Sequence, residues 1–215
     1  MSERKTIRSI CLNQETNRIV IVQADDSQLV RLTISGQAKA YEALVRRYQK
    51  LVYNVLYQMV QSHEQAADLT QETFMRAYRG LKTFNQGAPF KPWLLRIATN
   101  TCLNELRRTS QAVDSLETLL EENPHAEPAS RENVESQVEM RMTQQELIKA
   151  LKQLTPSQRQ IFVLRYSHDL SYDEISQTTG LPLTTIKPIL FRVREKLRKL
   201  MADQSQMHVN EKESD

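Results

Sequence analysis

A chain of 215 residues has room for one ordinary domain or two small ones joined by a linker. Its 40% hydrophobic residues can build cores, but 6% aromatic content and four glycines argue against a sheet-rich fold and for an all-α one. The formal net charge of +3 is too small to name a nucleic-acid partner by itself, so the placement of charge along the chain has to decide.

In chain order, residues 1–26 form an N-terminal extension without an assigned role; Arg18–Gln23 alternates like a strand, but one short strand is not stable alone. A helical domain is expected over 27–108. Tyr41, Leu44, Val45, Tyr48, Leu51, Val52, Val55, Leu56 and Met59 recur at three- and four-residue steps, the pattern of one long amphipathic helix. Ser62-His-Glu-Gln65 matches a capping box and opens a second helix through Leu69, Phe74, Ala77, Tyr78 and Leu81. A loop, Phe84-Asn-Gln-Gly-Ala-Pro-Phe90, separates it from a third helix expected from Trp93 to about Arg108, with Pro92 in its first turn and Leu94, Ile97, Leu103 and Leu106 inward.

An acidic linker is expected over 109–136, with at most a short helix around Val113–Leu120. Residues 109–139 carry eight acids (Asp114, Glu117, Glu121, Glu122, Glu127, Glu132, Glu135, Glu139) against Arg131 alone. A second helical domain is expected over 137–201. Its helices begin near Val138, at the Thr155-Pro-Ser-Gln158 capping box, at the Ser171-Tyr-Asp-Glu174 box, and at Thr184 or Thr185 after the turn residue Gly180. The last should end near Met201, before a disordered polar tail over 202–215. Pro188 lacks a backbone donor, and a start at Thr184 or Thr185 keeps that loss in the first turn.

A short capped helix, a glycine turn and a basic second helix make a helix-turn-helix. Residues 184–200 hold six bases (Lys187, Arg192, Arg194, Lys196, Arg198, Lys199) against Glu195. Packing through Ile186, Leu190, Val193, Leu197 and Leu200 would leave Lys187, Arg192, Arg194 and Lys199 facing DNA. The plainer reading of the same run is a solvated basic face.

Three segments together resemble the extracytoplasmic-function sigma factors: Asp68-Leu-Thr-Gln-Glu-Thr-Phe-Met-Arg-Ala-Tyr78, Phe90-Lys-Pro-Trp-Leu-Leu-Arg-Ile-Ala-Thr-Asn100, and Leu170-Ser-Tyr-Asp-Glu-Ile175 with Leu181-Pro-Leu-Thr-Thr-Ile-Lys187. The resemblance spans about 27–201. It implies a region-two domain that binds core RNA polymerase through Asp68, Gln71 and Glu72, with Leu69 and Phe74 inward. The same domain would read and melt the promoter minus-ten element through Phe84, Asn85, Phe90, Lys91, Trp93, Arg96, Asn100, Asn104, Arg107 and Arg108. A loop can form a pocket for an extruded base, amides can read base edges, and arginines hold phosphate. Trp93 reads equally as core. The resemblance also implies a region-four domain that reads the minus-thirty-five element through Thr184, Thr185, Lys187, Phe191, Arg192, Arg194 and Lys199. It implies, too, an anti-sigma partner and a linker threading a cationic channel of the polymerase, although a solvated tether explains the same acids. Pro188-Ile189 departs from the family's small polar residue and arginine, which removes one expected DNA contact.

The rivals are a conventional helix-turn-helix regulator, which needs neither of the first two segments, and a catalyst. His63, His125, His168 and His208 are scattered without metal or nucleophile spacing, and no cofactor is implied. Cys11 and Cys102 have no CxxC spacing, and neither a signal-peptide core nor a membrane-length apolar run occurs, so a cytoplasmic protein without membrane insertion is expected.

Overall fold

The structure, a computed structural model, describes residues 24–113 and 149–212, and every regular element among them is helical. The N-terminal extension up to residue 23, most of the acidic linker and the start of the helix expected near Val138 lie outside the described residues.

The described first half holds four α-helices and a 3-10 turn, Leu81–Thr83. Helix α1 (Asp26–Ile34) is opened by a reciprocal box in which Gln28 N–H donates to Asp25 Oδ1 at 2.7 Å and Asp25 N–H donates to Gln28 Oε1 at 3.1 Å. Helix α2 (Ala38–Val60) buries Leu44, Val52, Val55, Leu56 and Met59, the inner part of the stripe read from the sequence. Tyr41, Val45, Tyr48 and Leu51 flank that stripe and are only partly covered. Arg47 ties α1 to α2 by pairing with Asp26 and donating to Ala24 O, and the Tyr48 hydroxyl donates to the same Asp26. Helix α3 (His63–Gly80) starts with the Ser62 hydroxyl accepting from Gln65 N–H, and it buries Leu69, Phe74 and Ala77 against α2.

Helix α4 (Phe90–Val113) begins three residues before the expected Trp93 and continues five beyond Arg108 into the segment read as linker. Its early start follows from an aromatic cluster. Phe90 is buried, with ring centroids 5.5 Å from Tyr48, 6.0 Å from Phe84 and 5.5 Å from Trp93. Pro92 is harmless there, because first-turn donors have no partner inside the helix. The buried stripe of α4 is Leu94, Leu95, Ala98 and Cys102; Ile97, Leu103 and Leu106, expected inward, are only partly covered. Gly80 lies close under Trp93: a Cβ there would sit 3.3 Å from the ring, which would have to give by a few tenths of an ångström.

The second half contains the end of a helix at residues 149–152, then α5 (Pro156–Phe162), a π turn (Val163–Ser167), α6 (Tyr172–Thr179) and α7 (Leu183–Lys212). The boxes at Thr155 and Ser171 form with both reciprocal bonds, and Gly180 adopts the left-handed φ of 76° that ends α6. Ile161, Leu164, Leu170, Ile175, Ile186, Leu190, Val193 and Leu197 make the core.

Helix α7 departs from expectation at both ends. It begins at Leu183, so Thr184 and Thr185 lie in its first turn rather than capping it. Pro182 O accepts from Thr185 N–H at 2.9 Å and from Ile186 N–H at 3.2 Å. Pro188 then sits past the first turn, and the donor that would have met Thr184 O is missing inside the helix. At the far end the helix runs to Lys212 instead of stopping near Met201. Polarity does not end a helix; from Ala202 there is neither Pro nor Gly, and extension of an existing helix needs no new nucleus.

The halves touch: α4 packs on α6 and α5, and α2 packs on α5 and the π turn.

Candidate polymerase and promoter interfaces

Three surfaces carry the residues singled out in the sequence. The first is a groove of about 950 Å³ between α2 and α3, lined by Tyr41, Val45, Tyr53, Gln71, Met75 and Tyr78 among others. Its floor is set by Phe74, and the Tyr41 hydroxyl donates to Phe74 O, which fixes one wall. Burial pushes the Tyr41 hydroxyl well above the usual phenol range, so it stays a donor. Asp68, Gln71 and Glu72 are exposed on α3, as expected, and Leu69 is buried. Glu72 is engaged by Arg76, one turn on, at 2.6 Å. Sequence reasoning gave Met75 no role and read Tyr78 only as part of the helix pattern; they are 49% and 53% exposed. The available signal was their spacing: positions 71, 75 and 78 share one face of α3, away from Leu69 and Ala77.

The second surface is α4. Arg96, Asn100, Asn104, Arg107 and Arg108 are all exposed, and the steps 96, 100, 104 keep one face. Asn104 Oδ1 accepts from Arg107 at 3.1 Å, and Arg108 pairs with Glu105 at 2.9 Å. The loop before α4 differs from the open base pocket expected. Phe84 and Phe90 are buried and Trp93 half-buried, all in one aromatic cluster, so their rings hold α4 on α2 and α3 rather than facing solvent. Asn85 is exposed, but its Oδ1 accepts from Gly87 N–H at 3.0 Å and shapes the turn.

The third surface is the outer face of α7. Ile186, Leu190, Val193 and Leu197 are buried, which turns Thr184, Lys187, Phe191, Arg192, Arg194 and Lys199 outward; Thr185 is half-covered. Phe191 is 57% exposed, an apolar ring in the middle of a cationic face. Tyr172 of α6 lies between two cations, Arg165 at 4.9 Å and Lys187 at 5.8 Å from its centroid, which steadies Lys187 at the rim.

Lys91 does not stand with its neighbours on the α4 face. Its Nζ lies 3.3 Å from Glu174 Oε1 of α6, each side chain about one-third exposed. The other Glu174 oxygen accepts from Ser171 N–H at 2.9 Å. Burial raises the Glu174 carboxyl, but the Ser171 amide and the Lys91 ammonium more than offset this and hold it below the ordinary range. Beside it, burial and then Lys91 depress the His168 imidazole, so the neutral ring is favoured. Cys102 is buried in α4, and that burial pushes its thiol up to about 12. Among the described residues no cluster of His, Cys, Asp or Glu could hold a metal, and no helix is long and apolar enough to cross a membrane.

Comparison with known proteins gives these surfaces a common frame. Residues 44–112 match Sigma-70 region 2 and residues 144–197 match Sigma-70 region 4. The chain is 34% identical over 180 residues to the ECF RNA polymerase sigma-E factors of Salmonella typhimurium and Escherichia coli, covering 80% of this chain and 92% of theirs. It is 30% identical over 191 residues to the RNA polymerase sigma-H factor of Pseudomonas aeruginosa, covering 85% of this chain and 96% of that one. Two solved structures share the fold: CnrH bound to the cytosolic domain of CnrY (TM-score 0.61, 21% identity, 83% of this chain, 97% of that one) and the sigma factor RpoE bound to the anti-sigma factor NepR from Bartonella quintana (TM-score 0.59, 24% identity, 76% and 98%). With both regions present in this order, and a third of its residues shared with those sigma-E factors over four-fifths of its length, the chain belongs to the extracytoplasmic-function (ECF) RNA polymerase sigma factors.

Proposed function

We propose that this sigma factor docks on core RNA polymerase through the α2–α3 groove and its Asp68, Gln71 and Glu72 rim, reads and opens the minus-ten element with α4, and places α7 in the major groove of the minus-thirty-five element. Polymerase supplies the chemistry. The observation that carries this reading is the pair of exposed, DNA-suited faces on one chain. One is the Arg96–Asn100–Asn104 row on α4; the other is the Lys187–Arg192–Arg194–Lys199 face on a helix-turn-helix. Amides can read base edges, and arginines and lysines position the phosphates. An apolar groove flanked by polar groups suits a helical partner, with Met75 and Tyr78 as anchors.

In this proposal strand opening falls to the first half, with Asn85 and the nearby cations of α4 receiving the displaced strand. Phe84, Phe90 and Trp93 support that element from within. The acidic linker passes through a cationic channel of the polymerase. An anti-sigma protein covers the docking surfaces, as an extension of the family resemblance and of the named complex of RpoE with NepR. The place of action is the cytoplasm, and the genes served form a specific stress-responsive set.

The test is promoter opening with purified core polymerase and a panel of promoters, read by chemical probing of unpaired thymines. Opening that requires both this protein and core is the expected result. Tight duplex binding by the chain alone, with no opening, would support a conventional regulator instead.

A further inference from the structure

A helix lying in the major groove turns the middle of its outward face to base edges and its flanks to phosphates. On α7 the buried stripe decides which residues form that middle. Ile186, Leu190, Val193 and Leu197 are at most 2% exposed. At about 100° per residue, the line opposite them runs through Thr184, Pro188, Phe191 and Glu195. The cations stand beside that line, Lys187 and Arg194 on one flank, Arg192 and Lys199 on the other. Lys187 is further held toward Tyr172, 5.8 Å from its ring centroid. Glu195, at the far end of the line, is taken by Arg198. What stays free in the middle is the hydroxyl and methyl of Thr184, the Pro188 ring and the Phe191 ring. Thr184 is exposed, Phe191 is 57% exposed, and Pro188 between them is partly covered. A single exposed phenyl ring would need no explanation; a largely apolar line down the centre of a cationic face does.

This line excludes one kind of base reading and suits another. Paired bonds to guanine O6 and N7 take a guanidinium or an ammonium, and paired bonds to adenine take an amide. No such group stands at 184, 188 or 191, and Pro188 lacks even a backbone donor. The apolar group that a base pair presents in the major groove is the 5-methyl of thymine. We infer that Phe191 and Pro188 determine the specificity of α7 by packing on thymine methyls, while Arg192, Arg194 and Lys199 hold phosphates without reading sequence. From Thr184 to Phe191 the helix rises roughly 10 Å, the length of about three base-pair steps, so the preference falls on a short run of A·T pairs. The inference rests on the minus-thirty-five role of α7 proposed above and names what that role recognises.

The test uses core polymerase loaded with the full-length chain and promoter duplexes randomised through both the minus-thirty-five and the minus-ten windows. Bound duplexes are sequenced, and each enriched thymine of the minus-thirty-five window is then replaced by deoxyuridine, which removes the methyl and keeps the pairing edge. Wild type should enrich A·T pairs there and lose about three- to fivefold in affinity per methyl removed, the scale of one buried carbon. Phe191→Ala should abolish that penalty at one thymine and Pro188→Ala at a neighbouring one. Phe191 is largely exposed, so its removal leaves the core of the second half intact. Arg192→Ala should weaken thymine and uracil duplexes equally and keep the penalty. A 5-methylcytosine placed at the same position should recover part of the affinity for wild type and none for Phe191→Ala. A window enriched in G·C pairs, a thymine preference indifferent to uracil, or a penalty kept at every position by both Phe191→Ala and Pro188→Ala would overturn the inference alone. Enrichment confined to the minus-ten window would remove the minus-thirty-five role of α7, and this inference with it.

Discussion

The two DNA-suited faces differ in how free they are. On α7, Lys187, Arg192, Arg194 and Lys199 are exposed, and the helix packs on α5 and α6 of the second half. On α4, Arg96, Asn100, Asn104, Arg107 and Arg108 are open, but Lys91 is paired with Glu174. A cationic face is thus available to DNA only where the same chain does not supply the counter-charge. Residual duplex affinity of the free protein should come from α7.

The sharpest way to break this comparison is to remove the platform under one face. Ile175 of α6 is fully buried, and Ile175→Ala should lower stability by about 2–5 kcal/mol, measured by urea unfolding. A loss under about 1 kcal/mol would mean that α7 does not depend on this core. Neutralising Arg192, Arg194 and Lys199 together comes next. The plot of log affinity against log salt for duplex binding by the free chain should become shallower by about 2 to 3, at roughly 0.9 per phosphate contact. The same treatment of Arg107 and Arg108 should change it less. If the α4 pair mattered more, the assignment of free-chain affinity to α7 would be wrong.

A finer test separates reading from positioning in the assembled complex. Asn100→Ala should alter base preference in the minus-ten element by about 1–3 kcal/mol of discrimination, whereas Arg192→Ala should weaken all promoters alike. Equal shifts across every promoter for both variants would erase the distinction.

The smallest effect is a pH dependence at the contact. Burial and then Lys91 hold the His168 imidazole below its ordinary value of 6.5, with Asp169 opposing. A depressed histidine binds its proton more readily in the unfolded chain, so its contribution is intact above about 6.5 and lost as pH falls below that. Glu174, also depressed, loses its contribution only at lower pH, below the ordinary 4.5 and through its folded value. Between pH 7.5 and 5.5, stability should therefore fall by under ~1.4 kcal/mol per pH unit from His168, and His168→Gln should flatten that slope. A wild-type profile already flat there would remove His168 from the account.

Much of the architecture was legible in the residues because its signals are local. Helix periodicity named α2 and the inner stripe of α7, and the boxes at Thr155 and Ser171 and the left-handed Gly180 depend on residues three or fewer apart. Local signals also fail locally: α1 was not singled out as a helix, although Asp25 and Gln28 carry its box, and nothing in a polar tail told that α7 continues to Lys212.

Exposure of the charged faces followed from periodicity too, since burying one side of a helix turns the other outward. What the order of residues could not supply was which partner each aromatic and charged group would meet. Phe84 and Phe90 read as loop aromatics, and only the packing of α4 against α2 and α3 made them core. Nothing near Arg159 in sequence marks its partners, and Lys91 and Glu174 stand 83 positions apart. Their pairing exists because two separately patterned halves dock, and docking depends on surface shape and charge in three dimensions, which no local spacing encodes.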